Sequence, residues 1–125
     1  MQPGRRHPVP VILCVTAAVL LFVPSAIGHA VLLESSPALK SVVAGPNVQV
    51  KLRFNVRIDA LRSRLTLVHP DGSTQVLEIS KQTPADTLSA QARGLAAGEY
   101  RLRWQVLASD GHITRGEIPF TVMRS

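Results

Sequence analysis

The chain has 125 residues, 14 Lys and Arg against 8 Asp and Glu for a formal net charge of +6, only 4% aromatic residues and a single cysteine. That length suits one domain with a modest core. One cysteine excludes a disulfide framework, and basic residues scattered along an exported chain argue against a nucleic-acid surface.

Residues 1–28 read as a cleavable signal peptide. Arg5 and Arg6 make a basic start, Val9 to Val23 is an apolar core, Pro24 breaks it, and the small residues Ala26 and Gly28 fit a cleavage site before His29. The apolar run is shorter than the roughly 20 residues a spanning helix needs, so no membrane anchor is expected after cleavage. Cys14 lies inside this leader behind Leu13, which is not the small residue a lipid-anchored export signal wants. The mature domain, residues 29–125, therefore has no cysteine, and any metal it holds must be bound through nitrogen and oxygen. Without Arg5 and Arg6 its charge falls to about +4.

Strand signals follow in order. Val31 to Ser35 is a short candidate. From Val48 the chain alternates, with Val48, Val50, Leu52, Phe54, Val56 and Ile58 on one face and Gln49, Lys51, Arg53, Asn55 and Arg57 on the other. Leu65 to His69 and Thr74 to Ile79 flank His69-Pro70-Asp71-Gly72, a hairpin turn in which His69 is a turn residue rather than a ligand. Leu88 to Gln91 is short. Tyr100, Leu102, Trp104 and Val106 alternate against Arg101, Arg103 and Gln105, and Ile118, Phe120 and Val122 repeat the period. Basic pairs two apart, Lys51 and Arg53, Arg62 and Arg64, Arg101 and Arg103, read as solvated strand faces. Trp104, the single tryptophan, is expected in the core. About seven short strands, each with one apolar face, predict two antiparallel sheets packed face to face.

Two places carry chemistry. Cleavage after Gly28 leaves His29 with a free α-amine beside its imidazole, a two-nitrogen chelate. Far along the chain, Asp110 and His112 flank Gly111, and if that segment stays extended both side chains point the same way. Together these supply three nitrogens and one oxygen, a set that suits one copper(II) ion in tetragonal geometry. Zinc, which prefers a tetrahedron, is the alternative. A free α-amine titrates near pH 8, so metal must displace a proton from it and affinity should fall with pH.

At both ends the sequence resembles the CopC-type periplasmic copper-resistance proteins. The likeness lies in His29-Ala30-x-Leu32-x-x-Ser35-x-Pro37-Ala38, in Tyr100-x-x-x-Trp104-x-Val106, in Asp110-Gly111-His112, and in Gly116 with Phe120-Thr121-Val122. The resemblance implies a single Greek-key, immunoglobulin-like or cupredoxin-like β-sandwich. It also implies copper(II) held by His29, Asp110 and His112, and a CopD-type copper transporter of the inner membrane as partner. Three departures stand out. Some members have a methionine-rich copper(I) loop, whereas beyond the leader this chain has only Met123. Many place a serine and an acidic residue after the phenylalanine of the long strand, where this chain has Asn55 and Val56. The proline that often follows the second histidine is Ile113.

The expected function is a periplasmic copper(II)-binding protein that sequesters the ion or passes it on. Two other classes compete. A copper-dependent oxidative enzyme can also use an N-terminal histidine chelate, but no acid, base or nucleophile cluster lies beyond the ligands. A metal-free sandwich for adhesion or assembly is the third.

Overall fold

A computed structural model describes residues 29–81 and 84–124. The expected signal peptide, residues 1–28, lies outside them. Among the described residues eight strands form: β1 (Leu32–Ser36), β2 (Val42–Ala44), β3 (Val48–Phe54), β4 (Arg64–Val68), β5 (Thr74–Leu77), β6 (Thr87–Ala92), β7 (Gly98–Leu107) and β8 (Ile113–Met123), with a 3₁₀ turn at Ala60–Arg62. They make a three-stranded sheet, β1-β3-β6, and a five-stranded sheet, β2-β8-β7-β4-β5. The domain is an all-β, immunoglobulin-like Greek-key sandwich.

Alternation creates the two inner faces. On β3 the side chains of Val48, Val50, Leu52 and Phe54 are buried, while Gln49 and Lys51 are exposed and Arg53 is half-exposed beside Glu34. On β7 the inward set is Tyr100, Leu102, Trp104 and Val106. The Phe54 and Trp104 rings meet edge to face at 5.2 Å, joining the two sheets through their largest side chains. Gly116 is paired with Trp104 across β7 and β8, and a Cβ there would collide with the indole. The hydroxyl of Tyr100 donates to the Ala96 carbonyl at 2.8 Å, which satisfies its polar end at the sheet corner.

The structure corrects the strand reading in three places. β2, only three residues long and without a visible alternation, runs parallel to β8 and is the strand beyond the seven expected. The long alternating run ends as a strand at Phe54. Beyond it the chain leaves the three-stranded sheet and crosses to the end of β7: the Arg57 carbonyl accepts the Ser109 N–H at 3.0 Å and the Asp59 N–H donates to the Leu107 carbonyl at 2.9 Å. Val56 and Ile58 still pack on the core, so the period of two continues after the ladder has changed partners. Arg62 stands on the 3₁₀ turn rather than beside Arg64 on a strand.

β7 fixes the poles of the domain. Its ten residues pair with β8 from Gly98 opposite Val122 to Leu107 opposite Ile113. At about 3.4 Å per residue in an antiparallel strand, the two ends lie roughly 30 Å apart. The His69-Pro70-Asp71-Gly72 turn forms as expected between β4 and β5, with the Gly72 N–H donating to the His69 carbonyl at 2.9 Å. It sits at the Gly98 end, where Pro70 abuts Gly98. The Asp110 turn sits at the other.

Candidate metal centre

The turn from β7 to β8 places Asp110 and His112. It closes through two backbone bonds, Gly111 N–H to the Ala108 carbonyl at 2.8 Å and Ala108 N–H to the His112 carbonyl at 2.9 Å. Gly111 has φ +95°, a left-handed backbone that a side chain would strain. The segment is thus not extended, and strand alternation does not align its two side chains. The turn brings them together instead. Asp110 Oδ1 accepts the His112 backbone N–H at 3.1 Å and lies 3.2 Å from His112 Nδ1.

This geometry sets the carboxylate's charge. Accepting the His112 backbone N–H holds the Asp110 carboxyl below its ordinary range, partial desolvation opposes the shift, and the His112 ring adds to it. Asp110 therefore stays ionised at neutral pH and can offer a negative oxygen to a cation. The carboxylate also orients the imidazole it touches, as carboxylate partners of metal-binding histidines do.

His29 approaches from the other sheet. Ala30 is buried in the core at 3% exposure, which anchors the chain immediately after His29. Leu32 then pairs with Phe54 to begin β1. As a result the His29 and His112 rings lie edge to face with centroids 5.6 Å apart. With metal–nitrogen bonds of about 2 Å, two imidazoles on one ion have centroids roughly 4.5 to 6 Å apart, depending on whether they are cis or trans. The observed spacing falls in that range. All three residues sit at the surface, within reach of an incoming ion.

Among the described residues no three His, Cys, Asp or Glu groups converge as a ready cage. What they form is two pairwise contacts, His29 with His112 and Asp110 with His112, and the nitrogen of His29 is an amide as long as Gly28 is attached to it. A free amine is a stronger ligand than an amide nitrogen.

The remaining candidates are elsewhere. His69 Nε2 is 2.9 Å from Gln75 Oε1 at the opposite pole, as a turn residue should be. Met123 ends β8 at that same far pole, so its thioether cannot join these donors. Val56 is packed against the core. Asp59, the next carboxylate on that segment, caps the 3₁₀ turn by accepting the Leu61 and Arg62 N–H groups and pairs with Arg62 at 2.7 Å. It does not replace the acidic residue missing after Phe54. The residue whose part in the site the sequence left unassigned is Asn55. Its side-chain oxygen accepts the Val31 N–H at 2.7 Å, and its backbone N–H donates to the Val31 carbonyl at 3.0 Å. In the sequence it stood on the polar face of a run read as one strand to Ile58, and as a departure from the family pattern after Phe54.

Residues 32–123 match the CopC domain family. The chain belongs to the CopC family. It is similar to the crystal structure of CopC from Methylosinus trichosporium OB3b, with 32% identity and a TM-score of 0.69 over 77% of this chain and 95% of that one. It is also similar to PcoC, described as a methionine-rich copper resistance protein from Escherichia coli, with 27% identity and a TM-score of 0.63 over 77% of this chain and all of that one. A curated relative, the copper transport protein CutJ of Bacillus subtilis strain 168, is 27% identical over 107 residues. That match spans 82% of this chain but only 20% of CutJ. Family membership makes this a CopC-type copper-binding protein rather than an enzyme.

Proposed function

We propose that the mature protein is an exported, periplasmic carrier for one copper(II) ion. The ligands are the α-amine and imidazole of His29, the imidazole of His112 and the carboxylate of Asp110. The observation that carries this reading is the contact between the His29 and His112 rings, with Asp110 already seated on His112. Copper(II) favours nitrogen and oxygen donors in a tetragonal set and stands at the top of the divalent affinity order. Asp110 contributes negative charge without needing to lose a proton near neutral pH, whereas the α-amine must give one up.

Exposure of all three side chains suits a site that loads and unloads rather than one that buries a permanent cofactor. The ion is cargo, either sequestered or handed to a CopD-type transporter in the inner membrane. The CutJ match supports delivery, because there a domain like this one occupies a fifth of a longer copper transport protein. Removal of residues 1–28 creates the amine, so export and competence for copper are coupled.

The test compares the exported, processed protein with a variant carrying one alanine inserted between Gly28 and His29, after mass spectrometry has confirmed each N-terminus. Copper(II) titration followed by paramagnetic resonance should give the first a one-to-one complex whose spectrum and affinity the variant, with its terminal amine moved one residue away from the imidazole, does not reproduce. Indistinguishable spectra and affinities from the two would reject the terminal-amine chelate.

A further inference from the structure

We infer that Asn55 is the positioning residue that holds His29 against His112, an inference that rests on the copper site proposed above. Among the described residues His29 and Ala30 make no backbone hydrogen bond, so Val31 is the first point at which the backbone is tied laterally. Both of its ties end on Asn55. The side-chain oxygen takes the Val31 N–H at 2.7 Å and the backbone N–H gives to the Val31 carbonyl at 3.0 Å. An extended residue clamped at both its N–H and its C=O has fixed backbone angles, and that sets where the chain two residues upstream can point.

The same segment grips the other half of the site. Two residues beyond Asn55, the Arg57 carbonyl accepts the Ser109 N–H at 3.0 Å, Ile58 bridges to Ala108, and the Asp59 N–H donates to the Leu107 carbonyl at 2.9 Å. Residues 55–59 are therefore a strap with the His29 arm on one end and the Asp110-Gly111-His112 turn on the other. Neither half touches the other through a strand ladder, since β1 and β7 belong to different sheets. The strap sets their separation, and Asn55 is its hook.

A side-chain amide is needed for this role. The backbone bond to the Val31 carbonyl survives any substitution but proline, whereas among the described residues the Val31 N–H is held by Oδ1 alone. Alanine at 55 leaves that N–H to water and frees rotation about the Val31 φ, so His29 can swing away. Aspartate keeps an accepting oxygen at the same place.

A matched control exists at the other end of β3. Asn47 also accepts a backbone N–H with its Oδ1, that of Gly94 at 3.2 Å, at the pole remote from the site. Asn55→Ala and Asn47→Ala each remove one such bond, and only the first touches the His29 arm.

The experiment uses exported, processed protein in four forms: unsubstituted, Asn55→Ala, Asn55→Asp and Asn47→Ala. In the metal-free proteins, nuclear magnetic resonance reads the cross-relaxation between the His29 and His112 rings and the exchange rate of the Val31 amide. With copper(II), chelator competition gives affinity and paramagnetic resonance gives the ligand set. Asn55→Ala should lose the ring-to-ring signal, speed Val31 exchange, weaken copper(II) binding by about tenfold or more and change the resonance spectrum. Asn55→Asp should restore all four, and Asn47→Ala should leave them as in the unsubstituted protein. Asn55→Ala with the ring-to-ring signal and the copper spectrum intact overturns the inference, as does an equal change from Asn47→Ala. If instead the alanine-insertion variant binds copper(II) normally, the amine chelate is wrong, and the metal-free measurements still decide whether Asn55 places His29 beside His112.

Discussion

The imidazole of His29, ahead of the first strand, meets the imidazole of His112, behind the seventh, edge to face at 5.6 Å. The two arrive from different sheets, so their contact exists only while the sandwich is closed. An ion that uses both must then bind the folded state far better than the unfolded chain, and ligand linkage converts that preference into stability.

Copper(II) should accordingly raise the melting temperature of the processed protein. At a free concentration 100 times the dissociation constant the gain is about 2.7 kcal/mol. Asp110→Asn keeps an oxygen for the His112 N–H and so preserves the turn, but it discards the charge. It should melt like the unsubstituted protein without metal, bind copper(II) at least about tenfold more weakly, and show a smaller shift at equal copper. Scanning calorimetry with and without copper checks this. An identical copper shift in Asp110→Asn would remove the carboxylate from the ligand set.

Gly116 should tolerate no side chain. The backbone there has ordinary angles, so the penalty comes from the Trp104 ring occupying the space of a Cβ. Gly116→Ala must push a core indole out of place and should cost about 1–3 kcal/mol in urea unfolding. Trp104→Phe makes room, so the double variant should lose less than the two single losses added together. Strict additivity would mean that the two positions are not in contact.

Acid should weaken the fold from a defined pH. Arg53 bonds and attracts the Glu34 carboxylate, and Arg62 does the same for Asp59. Backbone and side-chain donors of Ser73 act on Asp71, and the His112 N–H acts on Asp110. All four carboxyls are held below their ordinary values. A depressed folded pKa stabilises above the unfolded value, near 4, and that contribution is lost as pH falls through the folded pKa. The melting temperature of metal-free protein should therefore be flat down to about pH 5 and fall below about pH 4. Because these groups are exposed, the effect is modest, and 1 M salt should shrink the Arg-paired share. A melting temperature that rises between pH 5 and pH 3 would contradict the assignment.

Thr114 should be replaceable at no loss. Among the described residues its hydroxyl is the one side-chain polar atom that is buried with no hydrogen-bond partner. Thr114→Val removes that unsatisfied group while keeping the shape, and such changes are neutral or stabilising. An unfolding free energy equal to or above that of the unsubstituted protein is expected. A loss of more than about 1 kcal/mol would show that the hydroxyl has a partner, such as a bound water.

Local chemistry made much of this legible beforehand. The alternation of Val48 to Phe54 and of Tyr100 to Val106 announced two inner faces, and Trp104 took the core position its size favours. The turn at His69-Pro70-Asp71-Gly72 was written in its residues. Ends were less legible. The apolar period runs on to Ile58 because Val56 and Ile58 still face the core, so it carried no mark of the change of sheet after Phe54. Nor could three residues, Val42 to Ala44, signal a strand whose partner is β8. A glycine at 111 permits a left-handed backbone, but the use of that freedom to close a turn depended on β7 and β8 being neighbours.

The sequence by itself determined which residues point inward, where the chain turns, and which nitrogen and oxygen donors exist near its two ends. Those properties are local, set by side-chain volume, polarity and a period of two. The tertiary structure alone decided that the His29 and His112 rings meet, that a turn rather than a strand pairs Asp110 with His112, and that the segment from Asn55 to Asp59 bonds both the His29 arm and that turn. Pairing between sheets depends on the closure of the whole core, and no window of neighbouring residues contains that information.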